Sequence, residues 1–258
     1  MNLFNRAIGG AIILALLILI TFLGRIPLAI GVMIFSYIAL HEIKEALEKI
    51  GITLPIKLLY VTNTIIMLAA YVNNSDIYIA SLVISVLFMM MYIILKGHYS
   101  LYDGFATSFV LLYVSFLMSH ILRIEDVNFV WLLYITAWGS DTCAYLIGST
   151  IGKRKFESIK HISPNKTIEG SIGGIVGACI LNSIFINEFG LGVKIYEVII
   201  FTIIAAVLSQ IGDLIASFIK RKTGVKDFGH VIPGHGGILD RFDSMLFIAP
   251  VLYLFSRL

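Results

Sequence analysis

Long apolar runs separated by short polar segments constrain this chain more than any other feature. A helix that spans the hydrocarbon core of a bilayer needs about 20 apolar residues. Candidate runs lie at residues 8–24, 26–41, 58–73, 77–95, 104–122, 129–150, 170–187, 195–218 and 244–256. Only 14% of the 258 residues are charged, whereas soluble domains carry roughly 25%. The sequence therefore predicts an all-α, polytopic integral membrane protein with about nine transmembrane helices.

The runs predict a single membrane-embedded domain over residues 1–258. Residues 1–125 would form an N-terminal helical bundle, and residues 126–258 contain two long polar loops, 151–169 and 219–243. The first run could imitate a secretory signal, but it is long for one, has no A-x-A cleavage site and is followed at once by another apolar run. We interpret it as a retained first span. Segment 41–50, HEIKEALEKI, is interpreted as a short solvated surface helix with Glu–Lys pairs at helical spacing.

Lysine and arginine are distributed unequally among the segments between the runs. If the N-terminus is cytoplasmic, the cytoplasmic segments hold 15 of the 19 basic residues. The other four are Arg25, Arg123, Lys194 and Arg257. Cytoplasmic loops of membrane proteins carry an excess of basic residues, so the N-terminus and both long loops are predicted to be cytoplasmic. The net charge of +3 is too small to indicate nucleic-acid binding.

Two aspartates occur inside apolar runs, Asp141 and Asp213. A carboxylate at the centre of a spanning helix costs about 2.5–3.5 kcal/mol on insertion scales, so such residues normally face a partner, a cavity or an ion. Ser209, Asp213 and Ser217 are spaced i, i+4, i+8 and predict a polar stripe along one helix face. The alternative for either acid is a purely structural hydrogen-bonding role.

The polar segment 226–243, KDFGHVIPGHGGILDRFD, combines glycines, carboxylates and cations. Gly234, Gly236 and Gly237 permit backbone N–H groups to approach a phosphate closely. Asp240 and Asp243 are three residues apart and share one face of a helix. Because Mg²⁺ binds one or two carboxylates together with substrate phosphates, the segment predicts a metal and polyphosphate site. The alternative is a solvated basic patch at the membrane surface.

The other long loop contains a second candidate anion site. Ser163, Lys166 and Thr167 precede a glycine-rich helix start in SPNKTIEGSIGG. Hydroxyls, a cation and a helix N-terminus are groups that bind anions. Glycines at the start of a span also favour close packing between helices.

Residues 217–243, SFIKRKTGVKDFGHVIPGHGGILDRFD, resemble the signature of the phosphatidate cytidylyltransferase family, whose members are also called CDP-diacylglycerol synthases. The positions that match are Ser217, Lys220, Arg221, Lys226, Asp227, Gly229, Pro233, His235, Gly236, Gly237, Asp240, Arg241 and Asp243. SDTCAYLIGSTIGK, SPNKTIEGSIGG and QIGDLIAS are also similar to segments of the family. These matches cover about the last 120 residues, which makes 126–258 the expected catalytic half.

The resemblance implies a multi-pass enzyme of the cell inner membrane, forming a homodimer, with its active site facing the cytoplasm. It would convert CTP and phosphatidate to CDP-diacylglycerol and diphosphate. The implied cofactor is a divalent metal, usually Mg²⁺, which a monovalent ion such as K⁺ can accompany. Asp213 and Asp240 match the family's metal-binding positions, and Asp243 and Asp141 lie close to them in the motifs.

The chemistry suggests roles for the remaining residues of the motif. Three cations are expected to contact phosphates: Lys166, Lys226 and Arg241. Lys220 and Arg221 are placed nearer the lipid headgroup. No general base is needed because the attacking phosphate is already ionised, so His235 is interpreted as a hydrogen-bond donor to phosphate. Asp227 is counted with the catalytic residues because it belongs to the same motif.

Two other functions fit parts of the sequence. Intramembrane acids and polar stripes also suit a transporter, although here the acids and cations cluster toward one end of the spans. A related enzyme, such as a polyprenol kinase or a transferase acting on archaeal-type ether lipids, would use similar residues.

Overall fold

The computed structural model describes residues 3–231 and 236–258, with side chains from residue 12 onward, and over these residues the chain is helical without a strand. The helices are α1 Leu3–Phe22, α2 Arg25–Glu48, α3 Ile56–Val72, α4 Ser75–Lys96, α5 Leu101–Val110, α6 Leu117–Ser119, α7 Val130–Ile151, α8 Ile168–Phe189, α9 Ile195–Thr223 and α10 Leu239–Phe255. A π-helical turn, Leu111–Phe116, joins α5 to α6. The predicted all-α class is confirmed.

Each predicted run coincides with helix in the described residues, but the helices differ in length and polarity. Five helical segments are long and apolar enough to cross a membrane: Arg25–Glu48, Ser75–Lys96, Leu101–Arg123, Ile168–Phe189 and Ile195–Thr223. Two shorter apolar helices cover Ile12–Phe22 and Ile56–Val72. These features fit a multi-pass membrane protein. The count of nine spans and the cytoplasmic N-terminus stay predictions.

The chain divides into two compact units. The first contains Met1–Glu125 and Lys222–Phe242, and the second contains Asp126–Arg221 and Asp243–Leu258. The first boundary lies at the sequence position that separates the predicted N-terminal bundle from the rest. Most of the polar loop 219–243 groups with the N-terminal helices. The single domain predicted for 1–258 stays a prediction.

Two arginines are held inside the first unit. Arg25 donates to the carbonyl of Tyr71 at 2.6 Å, and its guanidinium lies 4.5 Å from the centre of the Tyr71 ring. Arg123, which is buried, donates to Ser75 Oγ at 2.9 Å and lies 4.4 Å from the Tyr78 ring. Both are exceptions to the predicted charge asymmetry. Their contacts explain the exceptions, because these side chains serve packing and hydrogen bonding between helices.

Glycines bring α7 and α8 together in the second unit. A Cβ atom at Gly174 would lie 2.7 Å from the backbone oxygen of Ser140 and 3.0 Å from Ala144 Cβ. At Gly170 it would lie 2.8 Å from the backbone oxygen of Ala144. Gly170 and Gly174 form a GxxxG spacing, which permits backbones to approach closely in membrane helices. The close packing predicted for this glycine-rich start of α8 is confirmed.

We expect Gly174→Ala to destabilise the protein, because the added methyl group meets backbone atoms that cannot move independently. Overpacking of this kind costs about 1–3 kcal/mol, so the thermal midpoint in detergent should fall by roughly 2–12 °C. Gly104→Ala is the matched control, since its Cβ would find its nearest neighbour at 3.8 Å. Equal effects of the two substitutions on the thermal midpoint would contradict the packing argument.

Candidate active site

A cavity of about 430 Å³ lies in the second unit and is bordered by α7, the loop before α8, the first turn of α8 and α9. Its lining includes five residues that the sequence singled out: Asp141, Ser163, Lys166, Thr167 and Asp213. Further polar groups come from Ser149, Asn165, Ser171 and Gln210. Residues separated by up to 72 positions thus surround one volume, and the two intramembrane acids face it together, as such acids are expected to do.

An ion pair dominates the electrostatics of this cavity. Lys166 Nζ lies 2.6 Å from Asp213 Oδ2, and both side chains are about one-third exposed or less. Lys166 also donates to the backbone oxygen of Gln210 at 3.4 Å. The pair accounts for a carboxylate within the apolar helix α9, because an opposite charge offsets part of its desolvation cost. It also shows that Lys166 can reach an anion at this wall of the cavity.

The loop that carries Lys166 is fixed by hydrogen bonds on both sides. Ser171 on α8 and Gln210 on α9 exchange two hydrogen bonds: Ser171 Oγ donates to Gln210 Oε1, and Gln210 Nε2 donates to the Ser171 carbonyl at 3.1 Å. Thr167 Oγ1 caps α8 by accepting from the Gly170 amide at 3.1 Å. The Ile168 amide donates to another backbone carbonyl at 2.8 Å. Since these amides have protein acceptors, an anion would be held here mainly by side chains.

Asp243 belongs to the same electrostatic group in the second unit. Its buried carboxylate accepts from the backbone amide and hydroxyl of Ser244 at 2.7 and 3.1 Å. It interacts electrostatically with Asp213, Lys220 and Asp141. The described residues contain no cluster of three or more histidine, cysteine or acidic side chains that could hold a metal by itself. These carboxylates are compatible with a hard cation that takes its other ligands from phosphate or water, since Mg²⁺ needs only one or two carboxylates.

The polar stripe expected along α9 is only partly confirmed. Gln210 and Asp213 border the cavity, whereas Ser209 is fully buried and borders no part of it. Ser217 is half-buried and also lies outside the lining. The residues of α9 that border the cavity, Gln210 and Asp213, are thus spaced i, i+3. Residues at this spacing share one helix face, as residues spaced i, i+4 do.

In the first unit, Asp240 ties together the two ends of a loop. Its Oδ2 accepts from the amide of Phe228 at 2.8 Å and from the amide of Gly237 at 2.9 Å. Gly236 adopts a φ of 82°, and a Cβ there would lie 2.8 Å from Asp240 Oδ2 and 3.3 Å from Asp227 Cβ. The Gly237 amide, expected to approach a phosphate, thus donates to a carboxylate in this structure.

Glu42 is a site residue that the sequence interpretation missed. Segment 41–50 is the end of α2, and Glu42 is only 3% exposed, so the solvated-helix interpretation is wrong at this residue. Its Oε1 accepts from the Ile238 amide at 2.9 Å, and its Oε2 accepts from the Leu239 amide at 2.8 Å. The available signal was its position seven residues after Phe35 on the apolar face of α2.

The remaining motif residues differ in exposure. Lys226 is exposed and Asp227 is half-buried in the first unit. Arg241 is half-buried on α10, with a buried Nε. Arg221, in the second unit, donates to the carbonyl of Ile162 at 3.5 Å and so reaches loop 151–169. His235 and its neighbours at 232–234 lie outside the described residues, and their predicted roles stay predictions.

The sequence profile of the cytidylyltransferase family matches residues 4–258. The chain belongs to this family. The match includes the N-terminal helices, which the sequence interpretation compared with the family only as a bundle of hydrophobic spans. Membership makes the chain a nucleotidyltransferase, and the resemblance of residues 217–243 is thereby confirmed.

Individual relatives are similar over nearly their whole length. The phosphatidate cytidylyltransferase of Staphylococcus haemolyticus is 32% identical over 252 residues, covering 96% of both chains. That of Bacillus subtilis is 31% identical over 265 residues, covering 98% of this chain and 97% of its own. That of Staphylococcus aureus is 34% identical over 247 residues, covering 93% and 94%. The similarity therefore concerns the complete architecture and not an isolated motif.

We expect Gly236→Ala to lower cytidylyl transfer by this nucleotidyltransferase at least tenfold, because its Cβ would displace the Asp240 carboxylate. Gly224→Ala is the matched control. Gly224 has a similar φ of 70°, but a Cβ there would find no atom within 4 Å. Both variants incur the strain of a left-handed backbone, about 1–2 kcal/mol, and only Gly236→Ala adds the collision. Comparable turnover by the two folded variants would show that the contact with Asp240 is unimportant.

Proposed function

We propose that this protein is a phosphatidate cytidylyltransferase, which converts CTP and phosphatidate to CDP-diacylglycerol and diphosphate. The observation that carries the proposal is the similarity to enzymes of that name over more than nine-tenths of both chains. The apolar helices fit a substrate dissolved in the bilayer, and the polar cavity fits a charged reaction centre. Sequence motif, family and local chemistry point to the same reaction.

The reaction joins two anions, so positioning and charge neutralisation supply most of the catalysis. A phosphate oxygen of phosphatidate attacks the α-phosphorus of CTP, and the bond from that phosphorus to the diphosphate leaving group breaks. The attacking phosphate is ionised near neutral pH and needs no general base. The protein must therefore collect cations and hydrogen-bond donors around the phosphates.

Lys166 is the best-placed cation of the second unit for this task. Its ammonium group pairs with Asp213 at 2.6 Å at the edge of the cavity. A phosphate entering the cavity would give Lys166 a second anionic partner within its reach. The hydroxyls of Ser163 and Thr167 line the same cavity. We assign Lys166, Ser163 and Thr167 to substrate binding, with Lys220 and Arg221 nearer the lipid headgroup.

Mg²⁺ is the proposed cofactor, and K⁺ can accompany it. Bound Mg²⁺ would neutralise phosphate charge and stabilise the leaving diphosphate. The carboxylates proposed to hold metal are Asp141, Asp213, Asp240 and Asp243. The electrostatic proximity of Asp243 to Asp213 and Asp141 supports the part of this set that lies in the second unit.

The glycine-rich motif is proposed to act in the same reaction. From its sequence we assign the following residues to catalysis or phosphate contact: Lys226, Asp227, His235, Gly236, Gly237 and Arg241. The contacts of Asp240 with the amides of Phe228 and Gly237 support the assignment of this motif to the site. A homodimer, implied by the family resemblance, is part of the proposal.

The decisive experiment combines purified protein in detergent with radiolabelled CTP, phosphatidate and Mg²⁺. We expect labelled CDP-diacylglycerol and diphosphate, and no product without phosphatidate. Replacing phosphatidate by a polyprenol or by an archaeal-type ether phosphatidate tests the related enzymes. If none of these acceptors is labelled although the protein is folded, the enzymatic proposal fails and a transporter becomes the better explanation.

In the same assay, Lys166→Ala should lose about 30- to 1000-fold in kcat/KM, because one charge-assisted contact in the transition state contributes roughly 2–4 kcal/mol. Lys160→Ala is the control from the same loop, since Lys160 is largely exposed and pairs with the exposed Glu157 at 3.5 Å. It should stay near the wild-type rate. If Lys166→Ala kept more than about half of the wild-type kcat/KM for both substrates, this cavity would not be the reaction site.

We further propose that the active site faces the cytoplasm of a bacterial inner membrane, because 15 of the 19 basic residues would then be cytoplasmic. Glu157→Cys tests this orientation, since the Glu157 side chain is 79% exposed. With Cys143 and Cys179 replaced by serine, an impermeant thiol reagent should label the new cysteine only in inside-out vesicles. Labelling in right-side-out vesicles alone would reverse the orientation.

A further inference from the structure

We infer that Glu42 is a positioning residue, which holds the start of α10 and its preceding loop in the arrangement that fixes Asp240. The carboxylate lies on the buried face of α2 and contacts residues almost two hundred positions later in the chain. All of these residues belong to the first unit. The structural part of the inference is independent of the reaction, and its kinetic consequence rests on the proposed function.

The geometry indicates a dedicated contact. Glu42 uses both carboxylate oxygens, one for the Ile238 amide at 2.9 Å and one for the Leu239 amide at 2.8 Å. These amides begin α10 and have no partner in the preceding turn of the helix. A carboxylate at a helix N-terminus also interacts favourably with the helix dipole. With only 3% of its surface exposed, Glu42 depends on these amides to offset its desolvation.

Two glycines permit the approach. A Cβ atom at Gly229 or at Gly237 would lie only 2.4 Å from Glu42 Oε1. Any other residue at either position would push the carboxylate away from the loop. Neither residue has a positive φ, so the requirement for glycine here concerns space rather than backbone conformation.

Glu42 and Asp240 divide the amides at this helix end between them. Gly237 donates to Asp240, and the next two amides donate to Glu42. If Glu42 were removed, the amides of Ile238 and Leu239 would lose their acceptors beside the carboxylate of Asp240. Asp240 would then be the remaining carboxylate of this pair at the helix N-terminus. The amides of Ile238 and Leu239 would then compete with the Phe228 amide for hydrogen bonds to the Asp240 carboxylate.

A second contact fixes α2 against the same turn. The rings of Phe35 and Phe242 lie with their centroids 5.2 Å apart, and Phe242 is only 1% exposed. Phe35 and Glu42 are seven residues apart and therefore share a face of α2. The aromatic contact packs α2 against the start of α10, and Glu42 fixes the backbone at Ile238 and Leu239 through its hydrogen bonds.

Hydrogen exchange of the backbone amides at 236–240 tests the structural part without substrate or metal. In Glu42→Ala these amides should exchange about 10- to 100-fold faster than in the wild type, as expected when charge-assisted hydrogen bonds are lost. Glu42→Gln, which keeps one acceptor oxygen and the side-chain shape, should fall between the two. Glu48→Gln is the control on the same helix, because Glu48 is exposed and pairs with Lys44 at 2.9 Å.

Gly229→Ala is a second test, needed if Glu42→Ala fails to fold. Its added methyl group should displace the Glu42 carboxylate without changing Glu42 itself. It should accelerate exchange at Ile238 and Leu239 as well. Unchanged exchange of these amides in Gly229→Ala and in Glu42→Gln would overturn the inference. Acceleration that is equal over all helices would also overturn it, because that pattern indicates general destabilisation.

The kinetic arm separates positioning from stability. If Asp240 acts in the reaction, Glu42→Gln should lower kcat by at least tenfold while KM for CTP changes less than about threefold, and the thermal midpoint should move little. A loss of activity that follows only the loss of folded protein would leave Glu42 a stability residue. Absence of turnover in the wild type would instead refute the proposed function and leave the exchange result interpretable.

Discussion

Asp213 carries a carboxylate within α9, a helix apolar enough to span a bilayer, and Lys166 stands 2.6 Å away from it. This ion pair determines much of the second unit. It requires the loop before α8 to return to α9, and the Ser171–Gln210 hydrogen bonds keep it there. Because a charge in apolar surroundings is tolerated only with a partner, the pair also creates the polar cavity whose charges the proposed reaction uses.

The same requirement explains polar contacts elsewhere in the chain. Glu42 is buried and satisfied by two amides, and Asp240 is buried and satisfied by two others. Arg25 and Arg123 bind backbone or hydroxyl oxygens and lie over aromatic rings. The partners of Glu42, Arg25 and Arg123 lie 46 to 197 residues away in the sequence, whereas those of Asp240 lie 3 and 12 residues away. The polar contacts thereby specify which helices pack together, a task that lipid-like side chains alone perform poorly.

The presence of the helices and much of the cavity in the second unit could be predicted from the sequence, since both follow from local patterns of apolar and polar residues. Apolar length predicts helices, and Asp141, Asp213, Ser163, Lys166 and Thr167 were selected as polar residues next to or inside apolar runs; all five line one cavity. The position of Glu42 on the apolar face of α2 indicates burial, but its role was missed because its partners lie 196 and 197 residues away. Ser209 belongs to the predicted stripe but is buried outside the lining of this cavity, which Gln210 and Asp213 border. The membrane orientation and the metal ligands remain predictions, since neither is tested by the geometry of the described residues.

Asp240 accepts from the amides of Phe228 and Gly237 through a single oxygen, so both donors of this contact are backbone groups. His230 and Val231, which lie between these two donors in the sequence, are exposed. A change of side chain at either position leaves both backbone donors in place, so the carboxylate of Asp240 keeps its contacts while the surface above it changes.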